Sequence, residues 1–187
     1  QLRDLEAVSA LVRQLPTVRV GVALPATLIP LAAQFDGALR IGAQDVSDRA
    51  EGAYTGCVSA HLLRDAGACF SLVGHSERRD GFCETDAQVA AKVSRLTTLG
   101  LEAIVCVGET AEAREQGVAE DEVARQVEAC VSSATAIRLV SVAYEPRWAI
   151  GTGMTPTPDD ICSMLSTIEH ALRTIHGSSG AQVPLLY

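Results

Sequence analysis

The 187-residue sequence is 48% hydrophobic and 20% charged, with 15 basic and 23 acidic side chains and a formal net charge of −8. This is the composition of a globular protein that buries one sizeable core, so a single domain over residues 1–187 is expected. An acidic balance with no basic cluster excludes nucleic acid and anionic membrane as partners. No apolar run reaches transmembrane length, because Pro25 and Pro30 break the longest.

The first residues, Gln1-Leu2-Arg3-Asp4-Leu5-Glu6, are mixed in charge and helical in pattern, unlike a signal peptide. Gln1 is not an initiator methionine, so a preceding segment is expected. Short apolar runs then alternate with amphipathic segments. In chain order the pattern predicts a helix over Leu2–Gln14, a strand over Val18–Leu24, a helix over Leu28–Phe35 and a strand over Leu39–Ala43. A helix over Ser59–Ala66, a strand over Phe70–Val73, a helix over Asp86–Leu99 and a strand over Glu102–Val107 follow. The last predicted elements are helix Glu120–Ser132, strand Leu139–Tyr144, helix Pro158–Ile175 and strand Val183–Tyr187. Ile161, Met164, Leu165, Ile168 and Leu172 form one apolar stripe, and Val123, Val127 and Val131 form another. Thr157 is a natural N-cap, with Pro158 at the first helical position and Asp159 and Asp160 suited to the positive helix end.

This alternation predicts a parallel sheet covered by helices. Pattern alone leaves two forms open, a doubly wound open sheet and a closed (β/α)8 barrel. No Gly-x-Gly-x-x-Gly follows the first strand, which disfavours a dinucleotide-binding version. Six cysteines (57, 69, 83, 106, 130 and 162) lack Cys-x-x-Cys pairing and nearby histidines at ligand spacing. They read as reduced thiols of a cytoplasmic protein, with no metal site.

The chemistry gathers where strands end. Val140, Val142 and Tyr144 suit a buried strand that delivers Glu145 into a loop begun by Pro146, which has no N–H to continue the ladder. The loop Trp148-Ala149-Ile150 is too apolar to be idle on a surface and reads as a lid over a ligand. Gly151 and Gly153 would let backbone N–H groups approach an anion. Gly74-His75-Ser76-Glu77-Arg78-Arg79 puts a histidine at another strand end, and Cys106-Val107-Gly108-Glu109 brings a thiol and an acid to a third. All fall at the pole where parallel α/β enzymes keep their sites.

These motifs resemble the triosephosphate isomerase family, bacterial type. Its pattern Tyr-Glu-Pro-x-Trp-Ala-Ile-Gly-Thr-Gly is matched by Tyr144 to Gly153, with Arg147 in the free place, and residues 74–79 and 106–109 match in order. The resemblance implies a TIM (β/α)8 barrel that interconverts dihydroxyacetone phosphate and glyceraldehyde 3-phosphate without cofactor or metal. It implies Glu145 as the proton-shuttling base and His75 as the group that polarises the carbonyl. Ser76, Glu77 and Cys106 take supporting roles, although Ser76 also suits a helix cap, Glu77 an ion pair and Cys106 core packing. Pro146, Trp148, Ala149, Ile150, Thr152 and Gly153 correspond to the lid and Gly151 to its phosphate-binding glycine. Thr55 corresponds to the tip of a loop that reaches a partner subunit, which implies a homodimer.

The departures from that pattern are also informative. The family's first-strand Asn-x-Lys element is not in this sequence, whose only lysine, Lys92, lies in a helix. The sequence stops near the seventh strand, before the glycine-rich phosphate loops. The expectation is therefore a barrel incomplete at both ends, inactive by itself. The alternative is a non-catalytic relative that only binds an anion or a partner. A Schiff-base aldolase would need a strand-end lysine, and there is none. Cys57, Cys83 and Met154 also replace residues usual in the family, and the place held by Arg147 is free in its pattern.

Overall fold

The computed structural model describes residues 2–15, 17–35 and 39–187, without the side chains of Leu2 and Arg3. Six parallel strands form one sheet: β1 Val20–Leu24, β2 Leu39–Ala43, β3 Phe70–Val73, β4 Glu102–Val107, β5 Val140–Tyr144 and β6 Leu185–Leu186. Their spatial order is the chain order, β1 through β6. A doubly wound sheet reverses that order at a switch point, whereas a singly wound barrel never does. The order therefore favours the barrel over the open alternative.

The helices are α1 Leu2–Val12, α2 Ile29–Ala32, α3 Ala60–Asp65, α4 Ser76–Phe82, α5 Asp86–Thr98, α6 Ala111–Glu115, α7 Ala119–Cys130 and α8 Pro158–His176. The helix from Pro158 begins as its sequence dictates. Thr157 accepts from the Asp160 N–H, and the Asp160 carboxylate accepts from the Thr157 N–H, a reciprocal cap. Met164, Ile168 and Leu172 of its stripe are buried, as are Val123, Val127 and Val131. α5, α7 and α8 pack as neighbours against β3, β4 and β5, closing an apolar layer over the sheet.

Several bounds differ from the sequence pattern. The helix expected over Leu28–Phe35 splits into a 3₁₀ turn, Ala26–Leu28, and the four-residue α2, because Pro30 allows only a first helical turn. The last strand is two residues long, not five, because a 3₁₀ segment occupies Gly177–Gln182 and pairing starts only at Leu185. α4 and α6 are helices the periodicity did not announce. At seven and five residues, they are too short to repeat an apolar stripe.

The two poles of the sheet differ in chemistry. At the N-terminal pole Arg40 of β2 reaches across β3 to Glu102 of β4 at 2.9 Å, with the Phe70 ring beneath the guanidinium. The C-terminal pole carries Gln44, Gly74, Gly108 and Glu145, each directly after its strand.

Candidate active site

The base position is set by backbone pairing. Val107 pairs with Tyr144, and the Glu145 N–H continues the ladder to the Val107 carbonyl at 2.9 Å. Gly108 then runs so close to the Glu145 peptide that a Cβ on it would lie 1.8 Å from the Glu145 carbonyl oxygen. The Gln126 side-chain amide holds the same glycine at both ends, accepting from its N–H at 3.0 Å and donating to its carbonyl at 3.1 Å.

A second strand end delivers the imidazole. Gly74 has φ +72°, its N–H donates to Glu84 at 3.2 Å, and its carbonyl accepts from the Arg79 guanidinium at 2.7 Å. The turn ends at His75, the N-cap of α4. Its Nδ1 accepts the Glu77 N–H at 3.3 Å. An accepting Nδ1 leaves the ring proton on Nε2, the nitrogen 3.1 Å from Glu145 Oε2. The other carboxylate oxygen, Oε1, accepts the Ser76 N–H at 2.7 Å. Glu145 thus rests on the N-terminus of α4, where free N–H groups favour an anion.

The structure places the other expected residues plainly. The Glu77 side chain is exposed and reaches no closer than 3.9 Å to the imidazole. The Cys106 side chain is buried under the base, and burial, with the Glu145 charge adding, pushes its thiol pKa far up. It is held as a thiol and packs. Pro146 is buried, while Ile150, Gly151, Thr152, Gly153 and Met154 are exposed, the two glycines with positive φ. Thr55 is exposed on the loop between β2 and α3, apart from the Glu145–His75 pair. Lys92 is buried, paired with Asp45 at 2.6 Å and with Glu84 in a close contact, so its charge is committed to these two carboxylates. Among the described residues no group of three or more His, Cys, Asp or Glu side chains could hold a metal ion.

Sequence reasoning placed Glu109 at a strand end as an acid but gave it no supporting role. Glu109 is fully buried and accepts from the Tyr144 hydroxyl at 3.0 Å and the Trp148 indole N–H at 2.7 Å, which anchors the root of loop 146–154. Arg114 stacks on the same indole, 4.4 Å from its centroid. Arg79 was named only as part of its motif, and Glu84 and Gln126 were silent. Only a polar residue beside a buried stripe, as Gln126 is beside Val123 and Val127, could have signalled such a role.

Burial raises the Glu145 pKa above the ordinary carboxylate value, against the lowering effects of the Ser76 N–H and His75. A carboxyl with a raised folded-state value binds its proton more tightly folded than unfolded. Its stabilising contribution is full below the unfolded value and fades as pH rises through the folded one. The difference in urea-unfolding free energy between the wild type and Glu145→Gln should therefore shift against the wild type as pH rises from about 4 to about 7. A difference that stays flat across that range would show that burial does not raise this carboxyl.

Comparison with known proteins agrees with this geometry. The family model described as triosephosphate isomerase matches residues 2–187. The triosephosphate isomerase of Ruegeria sp. is 44% identical over 170 residues, covering 91% of this chain and 69% of that protein. That of Caulobacter vibrioides is 44% identical over 181 residues, covering 96% and 72%. A crystal structure of triosephosphate isomerase from Bartonella henselae superposes with a TM-score of 0.83 at 35% identity, covering 90% of this chain and 69% of the other. The chain thus spans about two thirds of the length of the relatives it matches.

Proposed function

Because this chain belongs to the triosephosphate isomerase family, with the fold of a (β/α)8 barrel, we propose that it supplies the acid–base pair and lid for interconverting dihydroxyacetone phosphate and glyceraldehyde 3-phosphate. The observation that carries this reading is the pairing of Glu145 with the Nε2 of His75 at 3.1 Å, on two strand ends of one pole.

The chemistry follows from those atoms. A proton on the carbon beside a ketone is removed only if a base sits on that carbon and a donor meets the oxygen that takes up the charge. Ionised Glu145 takes the carbon proton. The C–H electron pair forms the C=C bond, and the carbonyl electrons move onto oxygen. His75 Nε2–H faces that oxygen and donates to it. His75 passes its proton to that oxygen and regains one from the hydroxyl on the first carbon, whose O–H electrons form the new C=O. The C=C pair takes the proton back from Glu145 at the neighbouring carbon, giving the aldehyde. Glu145 leaves the Ser76 N–H to do this, and the exposed loop 149–153 closes over the triose, with the Gly151 N–H toward the phosphate.

Two finer readings accompany it. The exposed loop carrying Thr55 fits a site of contact with a second copy, which supports a homodimer. All six cysteines are unpaired, and Cys57, Cys83 and Cys162 are exposed, which suits the reducing cytoplasm. No helix among the described residues is long and apolar enough to cross a membrane.

The test is an isomerase assay with glyceraldehyde 3-phosphate on two proteins. One is the 187-residue chain alone. The other is the same chain joined to the flanking segments of the Ruegeria relative. The single lysine is committed to Asp45 and Glu84, and the chain alone leaves β1 and β6 as sheet edges. Activity near background is therefore expected of the chain alone, and robust activity of the joined protein. An inactive joined protein that folds would refute the assignment.

A further inference from the structure

The further inference concerns Arg147, at the free position of the lid motif, and rests on the reading of residues 146–154 as a lid. Among the described residues, the hydrogen bonds and ion pairs from this loop to the rest of the protein all leave from Arg147 and Trp148. The other bonds, such as Thr152 Oγ1 to the Trp148 and Ala149 carbonyls at 3.0 and 3.1 Å, stay within the loop. The Arg147 N–H donates to the Glu109 carbonyl at 3.2 Å. Its guanidinium makes a close ion pair with Asp80 of α4 and lies 4.0 Å from Glu122 of α7. The guanidinium Nε is buried without a partner, so the side chain is held by its outer nitrogens alone.

We propose that Arg147 tethers the lid root to α4 and α7 through Asp80 and Glu122, holding the lid in its present position and making its release sensitive to ionic strength. α4 is the helix whose N-terminus also receives Glu145 through the Ser76 N–H. Base and lid root therefore rest on one element. Asp80 is more than half exposed, so its pairing with Arg147 is open to screening by salt. Arg147 acts through the loop it anchors and is a positioning residue.

Trp148, the only tryptophan in the chain, adjoins the tether and reports it without substrate. Acrylamide quenching of its fluorescence should rise roughly twofold in Asp80→Asn and in Arg147→Met at low salt, as loss of a partly exposed ion pair allows. The double variant should show no further rise, and the difference from wild type should vanish near about 1 M KCl. No hydrogen bond or ion pair joins Asp80 to Trp148, and both variants keep the Arg114 stack, so the effect of Asp80→Asn should pass through Arg147. Wild-type quenching and salt response in Asp80→Asn, or additive effects of the two changes, would overturn the tether. Neither outcome depends on catalysis. An inactive joined protein with this quenching pattern would sink the proposed reaction alone, and an active one without it would sink the tether alone.

Discussion

Glu145→Asp is expected to lower turnover of the joined protein about a hundredfold while leaving KM within about threefold of wild type. The Glu145 peptide is fixed by the Val107 ladder and by contact with Gly108, so the backbone cannot advance to replace the lost methylene. The shorter carboxylate stops short of the carbon it must reach, by about the 1 Å that costs two orders of magnitude in such steps. In the proposed reaction the triose is held by its oxygen and phosphate, which the substitution does not touch, so binding should change little. Steady-state kinetics in both directions check this. Unchanged turnover would remove Glu145 from the mechanism.

Gly108→Ala is the second large effect. The new methyl group would sit 1.8 Å from the Glu145 carbonyl oxygen and 2.7 Å from its carbonyl carbon, both backbone atoms. No rotamer change relieves such a contact, so β4 and β5 must part at the pole that carries the base. The cost should be on the order of 3 kcal/mol, the upper range for overpacking. For a domain of this size that lowers the thermal midpoint by roughly 6–12 °C. Activity should fall further than stability explains, because the displaced atom belongs to the proposed base, Glu145. Calorimetry and kinetics on the same preparation separate the two. A variant with both properties intact would show that the close approach of Gly108 is not needed.

Local signals were legible where a residue's own chemistry decides. Thr157, Pro158 and Asp160 mark their helix start, and the buried stripe from Met164 to Leu172 has the spacing of one helix face. The strand ends were legible too, since Tyr144-Glu145-Pro146 and Val73-Gly74-His75 each change from apolar run to turn. What periodicity alone could not read is set by the sheet as a whole; the motif resemblance, not the pattern, supplied the barrel. Strand order separates a barrel from a doubly wound sheet, and no stretch of sequence encodes it locally. Glu84 and Gln126 escaped, and the partners of Arg79 and Glu109 did too, because these residues act across separations that only pairing of β3, β4 and β5 brings together. Arg147 was visible in the free place of the lid motif, yet its partners Asp80 and Glu122 come from two helices far away in sequence.

The central claim is that one carboxylate, Glu145, carries the proton between two carbons of the triose. Isomerisation of dihydroxyacetone phosphate by the joined protein in deuterium oxide, followed by proton NMR, tests it directly. A base that exchanges its proton with solvent during the reaction should place deuterium on the carbon it reprotonates, and Glu145→Gln should abolish both deuterium entry and isomerisation. Deuterium entry at an undiminished rate in Glu145→Gln, with the protein folded, would show that another group moves the proton.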